Sequence, residues 1–280
     1  MKKSLGLLVT TFAFAWLCGA QQPKPQLPKS VRLYVFDCGR LDIPDTSPYR
    51  LKKEELASSA MSAPCFLVTH PKGTMIWDTG PVADSTFKNG VGKLRYATTT
   101  KTLTSQLAQV GFAPSDITYL ALSHFHWDHV GNANLFAGST WLTPKAERDY
   151  MFMDPPSTRT EPQNFSALKN SKTIFITTPD YDVFGDGTVI IKAAPGHSPG
   201  HQVLYLKLAK TGPVVLSGDL YHYPEERKRN LVPTTEFNAD QTVASRVTIE
   251  KFLKDTHAQF WIQHDMTANS KLKKSPAYYE

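Results

Sequence analysis

Between residues 123 and 132 the chain reads SHFHWDHVGN, which sets His124, His126, Asp128 and His129 within six positions. Imidazole nitrogens and carboxylate oxygens are ligands for zinc and its first-row neighbours, and crowding four of them together without a cation would leave several polar groups in need of partners. A single histidine in a core is more often structural than a ligand, but four chelating residues in this order are not explained that way. The stretch closes the apolar run DITYLALSH, so the cluster falls at the carboxyl end of a strand, and Gly131 lets the chain turn just beyond it. Alternation along an extended segment sends His124, His126 and Asp128 to one side. His129, where the chain starts to turn, aims at a second point nearby. That geometry suits two adjacent ions better than one.

Such a site needs further donors, and three stretches supply them at comparable places. AAPGHSPGH (193–201) sets His197 in a turn after the strand-like TVIIKA, between Gly196 and Gly200; VVLSGDLYH (214–222) ends an apolar run at Asp219; FWIQHD (260–265) ends another at His264. Every donor stretch thus follows an apolar strand. Gathering strand ends on one edge of a layered fold is how a rigid scaffold aims distant residues at a common point. From residue 31 onward the chain fits such a scaffold, because short apolar runs such as VRLYVFDCG, CFLVTH, TMIWDTG, STWLTP, KTIFITTP and QVLYLKL alternate with turn signals and read as strands. Helical periodicity is rarer and covers residues 100–112, 144–152 and 240–256, the last opening on an Asp240 cap. The stretches 81–99 and 154–162 read as long surface loops of the kind that line clefts. No internal repeat interrupts this order. One domain over residues 31–280, an α/β fold of two layered sheets with helices outside them, accounts for it.

Composition bounds the function. With 280 residues, 41% hydrophobic and 20% charged, the chain can bury one large core. Residues 1–20, MKKSLGLLVTTFAFAWLCGA, carry Lys2 and Lys3, an apolar stretch from Leu5 to Leu17, and Ala20 ahead of a proline-rich segment. They read as a secretory signal peptide, too short in its apolar part to span a bilayer, with 21–30 as a linker. The expected location is periplasmic or secreted, with no stable membrane insertion once the signal is removed. Lipoprotein anchoring at Cys18 is the minor alternative, because Leu17 stands where such signals place a small residue. Thirty-one basic and 25 acidic residues give +6, and loss of Lys2 and Lys3 leaves +4. The basic groups of EERKR (225–229) and KLKK (271–274) read as solvated surface, and no nucleic-acid partner is expected. Cys38 and Cys65 remain, both in strand-like segments. An oxidising compartment permits a disulfide between them, and two buried thiols serving as small apolar residues fit as well.

The pattern HxHxDH with a later His, a later Asp and a final His resembles the motif set of the metallo-β-lactamase superfamily. The likeness runs from about residue 31 to the C-terminus and includes IWDTG (76–80), similar to that superfamily's early Asp-bearing turn. Within it the chain looks most like the N-acyl homoserine lactonase family. The resemblance implies an αββα sandwich, two mixed sheets with helices outside, and two divalent metal ions, zinc first, with iron, manganese or cobalt as alternatives. It assigns one ion to His124, His126 and His197 and the other to Asp128, His129 and His264, with Asp219 bridging both. It implies a hydrolase that opens a small-molecule lactone or ester by attack of a hydroxide shared between the ions, Asp128 or a nearby hydroxyl giving a proton to the departing alkoxide. Asp78 reads either as orienting the ligand loop or as a plain turn residue before Gly80.

One position departs from the family. Lactonases carry a tyrosine three residues after the bridging aspartate, and here that place is His222, flanked by Tyr221 and Tyr223. Any of the three could assist the reaction or simply pack. The histidine also fits relatives that hydrolyse organophosphate triesters or aryl esters. A β-lactam hydrolase is not expected to carry the bridging Asp219, so that activity is expected to be absent or weak. Glyoxalase II relatives add a basic glutathione-binding region that KLKKSPAYYE does not match, and RNA-processing relatives add a domain for which there is no room. A non-enzymatic periplasmic metal-binding protein would need the ligands but no open coordination position. His70, His201 and His257 lie outside the pattern and read as structural or surface residues. A homodimer is compatible with all of this.

Overall fold

The structure, a computed structural model, describes residues 25–280; the expected signal segment and the start of the expected linker lie outside the described residues. Eight strands come first: β1 (Arg32–Leu41), β2 (Met61–His70), β3 (Gly73–Trp77), β4 (Gly92–Leu94), β5 (Ala97–Thr99), β6 (Tyr119–Ala121), β7 (Thr140–Pro144) and β8 (Thr173–Ile176). They pair in the order β4-β5-β1-β2-β3-β6-β7-β8, antiparallel as far as β3 and parallel from there to β8. A second sheet follows from β9 (Asp180–Asp182), β10 (Val189–Ala193), β11 (Gln202–Leu208), β12 (Gly212–Leu216) and β13 (Gln259–Trp261), antiparallel except for the parallel pair β12–β13. The chain ends on β14 (Tyr278–Tyr279), which returns to β1.

The apolar runs are continuous rather than alternating with polar residues because both faces of each sheet are covered. Along β1, Leu33 and Val35 face the second sheet, while Tyr34 and Phe36 face the opposite layer with Leu103 and Leu107 of helix α1 (Leu103–Gln109). Along β11 the same period of two sends Leu204 and Leu206 inward and Val203 and Tyr205 outward. Two short helices follow α1 in the chain, α2 (Trp127–Val130) and α3 (Lys145–Met151); α4 (Pro224–Arg229), α5 (Ala239–Thr256) and α6 (Met266–Asn269) come later. Ile249 and Leu253 of α5 cover Val203 and Tyr205, completing an αββα order. Each such fully buried aliphatic side chain contributes about 1.5–3 kcal/mol by leaving water.

Two boundaries differ from the sequence reading. Helix α5 is capped not by Asp240 but two residues earlier, by Asn238, whose side chain accepts from the Gln241 amide at 3.0 Å. The 81–99 stretch is not one loop, since β4 and β5 form a hairpin in it that pairs with Arg40 and Leu41. Strands of three residues, GKL and ATT, are too short to display the alternation by which a strand is recognised.

Cys38 and Cys65 are joined by a disulfide between β1 and β2, 27 residues apart in sequence. Gly80, at φ 73°, lies directly on it, and a Cβ there would stand 2.7 Å from the Cys38 Cβ. The bond thus forms the floor of the turn that carries Asp78. Closing a loop of this length restricts the unfolded chain and is worth about 3 kcal/mol. Replacing both cysteines by serine is therefore expected to lower the unfolding free energy by that amount and to steepen the urea slope as the unfolded chain expands, and an unaltered unfolding free energy would remove the bond from the stability argument.

Candidate metal centre

His124 follows β6, His197 follows β10, Asp219 follows β12 and His264 follows β13, so ends from both sheets deliver donors to one edge of the sandwich. The donors form two groups, His124, His126, His197 and Asp219 in one and Asp128, His129 and His264 in the other; within each, the ligand atoms lie within 4.8 Å of one another. The His126 Nδ1 stands 2.8 Å from His124 Nε2 and 2.9 Å from His197 Nε2. In the second group His264 Nε2 is 3.4 Å from His129 Nε2 and 3.5 Å from Asp128 Oδ2. The alternation read from the sequence holds for His124 and His126 but not for Asp128. Helix α2 begins at Trp127, so Asp128 is already turning and joins His129 in the other group.

Asp219 lies between the groups. Its Oδ2 faces His124 Nε2 at 3.6 Å and His197 Nε2 at 3.4 Å, and its Oδ1 faces His129 and His264 Nε2 at 3.1 Å each. Although buried, Oδ1 makes no hydrogen bond. An unpartnered carboxylate oxygen ringed by nitrogen lone pairs is costly unless a cation sits among them. The donor set therefore fits two divalent ions sharing one carboxylate.

For three of the five imidazoles the far side fixes the tautomer this requires. His264 Nδ1 donates to the Ser62 carbonyl at 2.7 Å, His129 Nδ1 to Asp78 Oδ2 at 2.9 Å, and His197 Nδ1 to Glu236 Oε1 at 3.1 Å, leaving each Nε2 free to bind a metal. Asp78 also accepts from the Ser123 amide at 2.6 Å and from Gln263 Nε2 at 2.8 Å, so it is an orienting group for the ligand loop. It occupies the left-handed region, at φ 57°, a conformation in which Asp is among the few tolerated residues. His201 is wholly buried and accepts from the Asp219 amide at 2.8 Å, which sets the backbone of the shared carboxylate. His70 and His257 lie elsewhere, His70 stacked on Phe184 and His257 ending α5.

Burial holds the imidazoles of His124 and His126 well below their usual range. Burial opposes protonation of His129 too, but Asp219, Asp78 and Asp128 outweigh it and raise that group well above the ordinary value. For His197, burial is likewise outweighed, chiefly by Glu236. Burial disfavours the Asp219 carboxylate, yet His264, His129 and His124 hold it well below the normal carboxylate range.

A cavity of about 210 Å³ opens onto the donors, walled by Tyr49, Tyr96, Trp127 and Arg159. None of these four was legible as a site residue. Tyr49, Tyr96 and Arg159 are single side chains on loops or short turns with no spacing to mark them, and Trp127 stands inside the donor motif as the first residue of α2. Arg159 Nη2 donates to the Thr235 carbonyl at 2.5 Å and ties two loops across the mouth. His222 also lines the cavity, held by Glu226 Oε2 at 3.2 Å and Asp219 Oδ2 at 3.3 Å; against its burial, Glu226 and then Asp219 push its pKa up to about 10. Its neighbours point elsewhere. Tyr223 donates to the Ser59 carbonyl at 2.9 Å, and Tyr221 packs beneath Arg246 in the wall of a separate cavity of about 660 Å³ that contains none of the metal donors. The larger space is thus remote from the chemistry. The phenol facing His222 is Tyr49, ring to ring at 4.7 Å, and its hydroxyl makes no hydrogen bond to another described residue.

Comparison with known proteins gives four matches. A sequence model of the metallo-beta-lactamase superfamily matches residues 60–264. The N-acyl homoserine lactonase AttM of Azorhizobium caulinodans is 27% identical over 271 residues, covering 89% of this chain and 99% of that protein. Among solved structures, an N-acyl homoserine lactone hydrolase with the product N-hexanoyl-L-homoserine at its catalytic metal centre is 22% identical, with a TM-score of 0.74 over 90% of this chain and 100% of that one. AidC, a dizinc quorum-quenching lactonase, is 20% identical with a TM-score of 0.65 over 92% and 96%. At these identities the structures attest the shared fold.

Proposed function

The chain belongs to the metallo-beta-lactamase superfamily, and from that premise we propose that it is a two-metal hydrolase, with zinc as its ions, that opens the ring ester of N-acyl homoserine lactones. The observation that carries this reading is Asp219, whose two carboxylate oxygens face two separate groups of nitrogens. The lactonase of Azorhizobium caulinodans supports the choice of substrate. When bound, two such ions acidify a water near neutral pH and polarise a carbonyl. The protein's own residues do the rest. Asp219 fixes the two groups relative to each other. Asp128 lines the cavity, with its side chain 11% exposed, and would accept the proton that the attacking water gives up and pass it to the oxygen that leaves. Tyr49, Tyr96 and Trp127 offer an apolar wall to an acyl chain, and His222 faces the same Asp219 oxygen as His124 and His197, at 3.3 Å.

A second reading, hydrolysis of aryl esters or phosphotriesters, is favoured by His222 and by the aromatic walls of so small a cavity. Metal-loaded protein assayed on an N-acyl homoserine lactone, an aryl ester, a phosphotriester and a β-lactam separates the two. Fastest turnover is expected on the lactone, and turnover of the phosphotriester alone would overturn the first reading. In the same assay His222→Ala and Tyr49→Phe are expected to lower lactone turnover by roughly 10- to 100-fold at unchanged metal content, the equivalent of one shielded hydrogen bond. Tyr221→Phe and Tyr223→Phe should stay within a few-fold of the parent, because their hydroxyls lie outside the cavity. Losses from either that match those of His222→Ala would contradict this assignment.

We further propose export to the periplasm or the medium. The N-terminal segment and the Cys38–Cys65 disulfide support it. Among the described residues no helix is long and apolar enough to cross a membrane. Fractionation of cells expressing the full chain tests the proposal, and retention in the cytoplasm would refute it.

A further inference from the structure

We infer that Glu147 is a positioning residue for one of the two ions, the one assigned to His124, His126 and His197. The inference rests on the two-metal reading above. Glu147 lies in the first turn of α3, outside the donor set, and is only 2% exposed. A carboxylate buried this deeply persists only when its oxygens are fully engaged. All of its partners lie on the two ligand loops of that one group. Oε1 accepts from the Phe125 amide at 2.8 Å, and Phe125 is the residue between His124 and His126. Oε2 accepts from Ser198 Oγ and from the Gly200 amide, each at 2.7 Å, on the loop that presents His197.

The two loops are more than 70 residues apart in sequence and follow strands of different sheets, β6 in the first and β10 in the second. A single carboxylate therefore joins two loops whose relative position sets the spacing of His124, His126 and His197. The approach is close enough to exclude a side chain at position 200, where a Cβ would stand 2.8 Å from the Glu147 Cβ. The second group is oriented by different means, Asp78 behind His129 and the Ser62 carbonyl behind His264. Loss of Glu147 should therefore be felt at one ion and not at the other.

The test is zinc titration of Glu147→Gln against a chromophoric chelator, together with the visible spectrum of the cobalt-substituted protein. An amide offers one acceptor where three donors wait, so at least one donor is left facing an NH₂. The expected result is two ions in the parent and, in the variant, one ion weakened by roughly 10- to 100-fold with the other unchanged. The cobalt spectrum should keep the bands of a single site. Ser198→Ala, which removes one of the three bonds and leaves the carboxylate in place, should show a smaller loss at the same ion and serves if the first variant does not fold. Equal weakening of both ions would mark a general loss of stability and overturn the inference, as would two ions at parental affinity. A parent that itself binds fewer than two ions would instead refute the two-metal reading, and this inference with it.

Discussion

Asp219→Asn is expected to leave the fold intact and to lower lactone turnover by roughly a hundredfold or more, the scale of other electrostatic contributions to catalysis. The substitution keeps size and shape, and the Asp219 amide can still donate to His201, so the backbone has no reason to move. What changes is the charge. One oxygen now faces one group of imidazoles, and an NH₂ faces nitrogens that need their lone pairs for metal. The four contacts at 3.1–3.6 Å that make this carboxylate common to both groups cannot all be kept by an amide. Circular dichroism, metal analysis and turnover on one preparation decide the matter. A near-parental rate at full metal content would show that the shared charge is dispensable.

Stripping the ions with a chelator is expected to reduce turnover to background, and returning zinc, cobalt or manganese to restore it. Elemental analysis of protein purified without chelator should give about two ions per chain, since seven donors in two groups exceed the needs of one. The pH dependence of reloading follows from the carboxylates. In the metal-free chain burial opposes protonation of His129 and His197, but Asp219, Asp78 and Asp128 for the first and Glu236 for the second outweigh it and raise both pKa values, so protons compete with a metal for these rings. Metal uptake should therefore release protons, and affinity should fall as pH falls and rise with pH until the rings are neutral. Calorimetry in two buffers of different ionisation enthalpy measures the release. No buffer dependence, or full activity after exhaustive chelation, would contradict the mechanism.

The donors were legible in the sequence because their signal is local: short His and Asp spacings at the ends of apolar strands, beside glycines that let the chain turn. The allotment of Asp128 was less so, since it depends on a helix that starts within the motif, at Trp127. Tyr221 and Tyr223 could be set aside only in the folded chain, where Tyr223 donates to the Ser59 carbonyl and Tyr221 lines the other cavity. The segment from Ser217 to Tyr223 runs through turns and bends rather than a strand, so no period marks which of its side chains faces the cavity. Tyr49, Arg159, Glu236 and Glu147 carry no mark either. Glu236 meets His197 across 39 residues and Glu147 meets Phe125 across 22, and only the folded chain brings them together. The layered architecture followed from the long apolar runs, while the β4–β5 hairpin was hidden by strands too short to show a period.

The disulfide between β1 and β2 bears on how the protein acquires the right metal. A chain that crosses a membrane unfolded meets copper and zinc before its ligand loops have formed, and a free thiolate is the softest donor it could offer them. Under the export proposed above, pairing of Cys38 with Cys65 and loss of Cys18 with the expected signal segment leave the chain no thiolate to offer, its remaining sulfur being methionine thioether. Oxidation ahead of metal capture would thereby remove the anionic sulfurs that hold monovalent copper most tightly, and leave the choice among borderline divalent ions to the geometry of the folded centre.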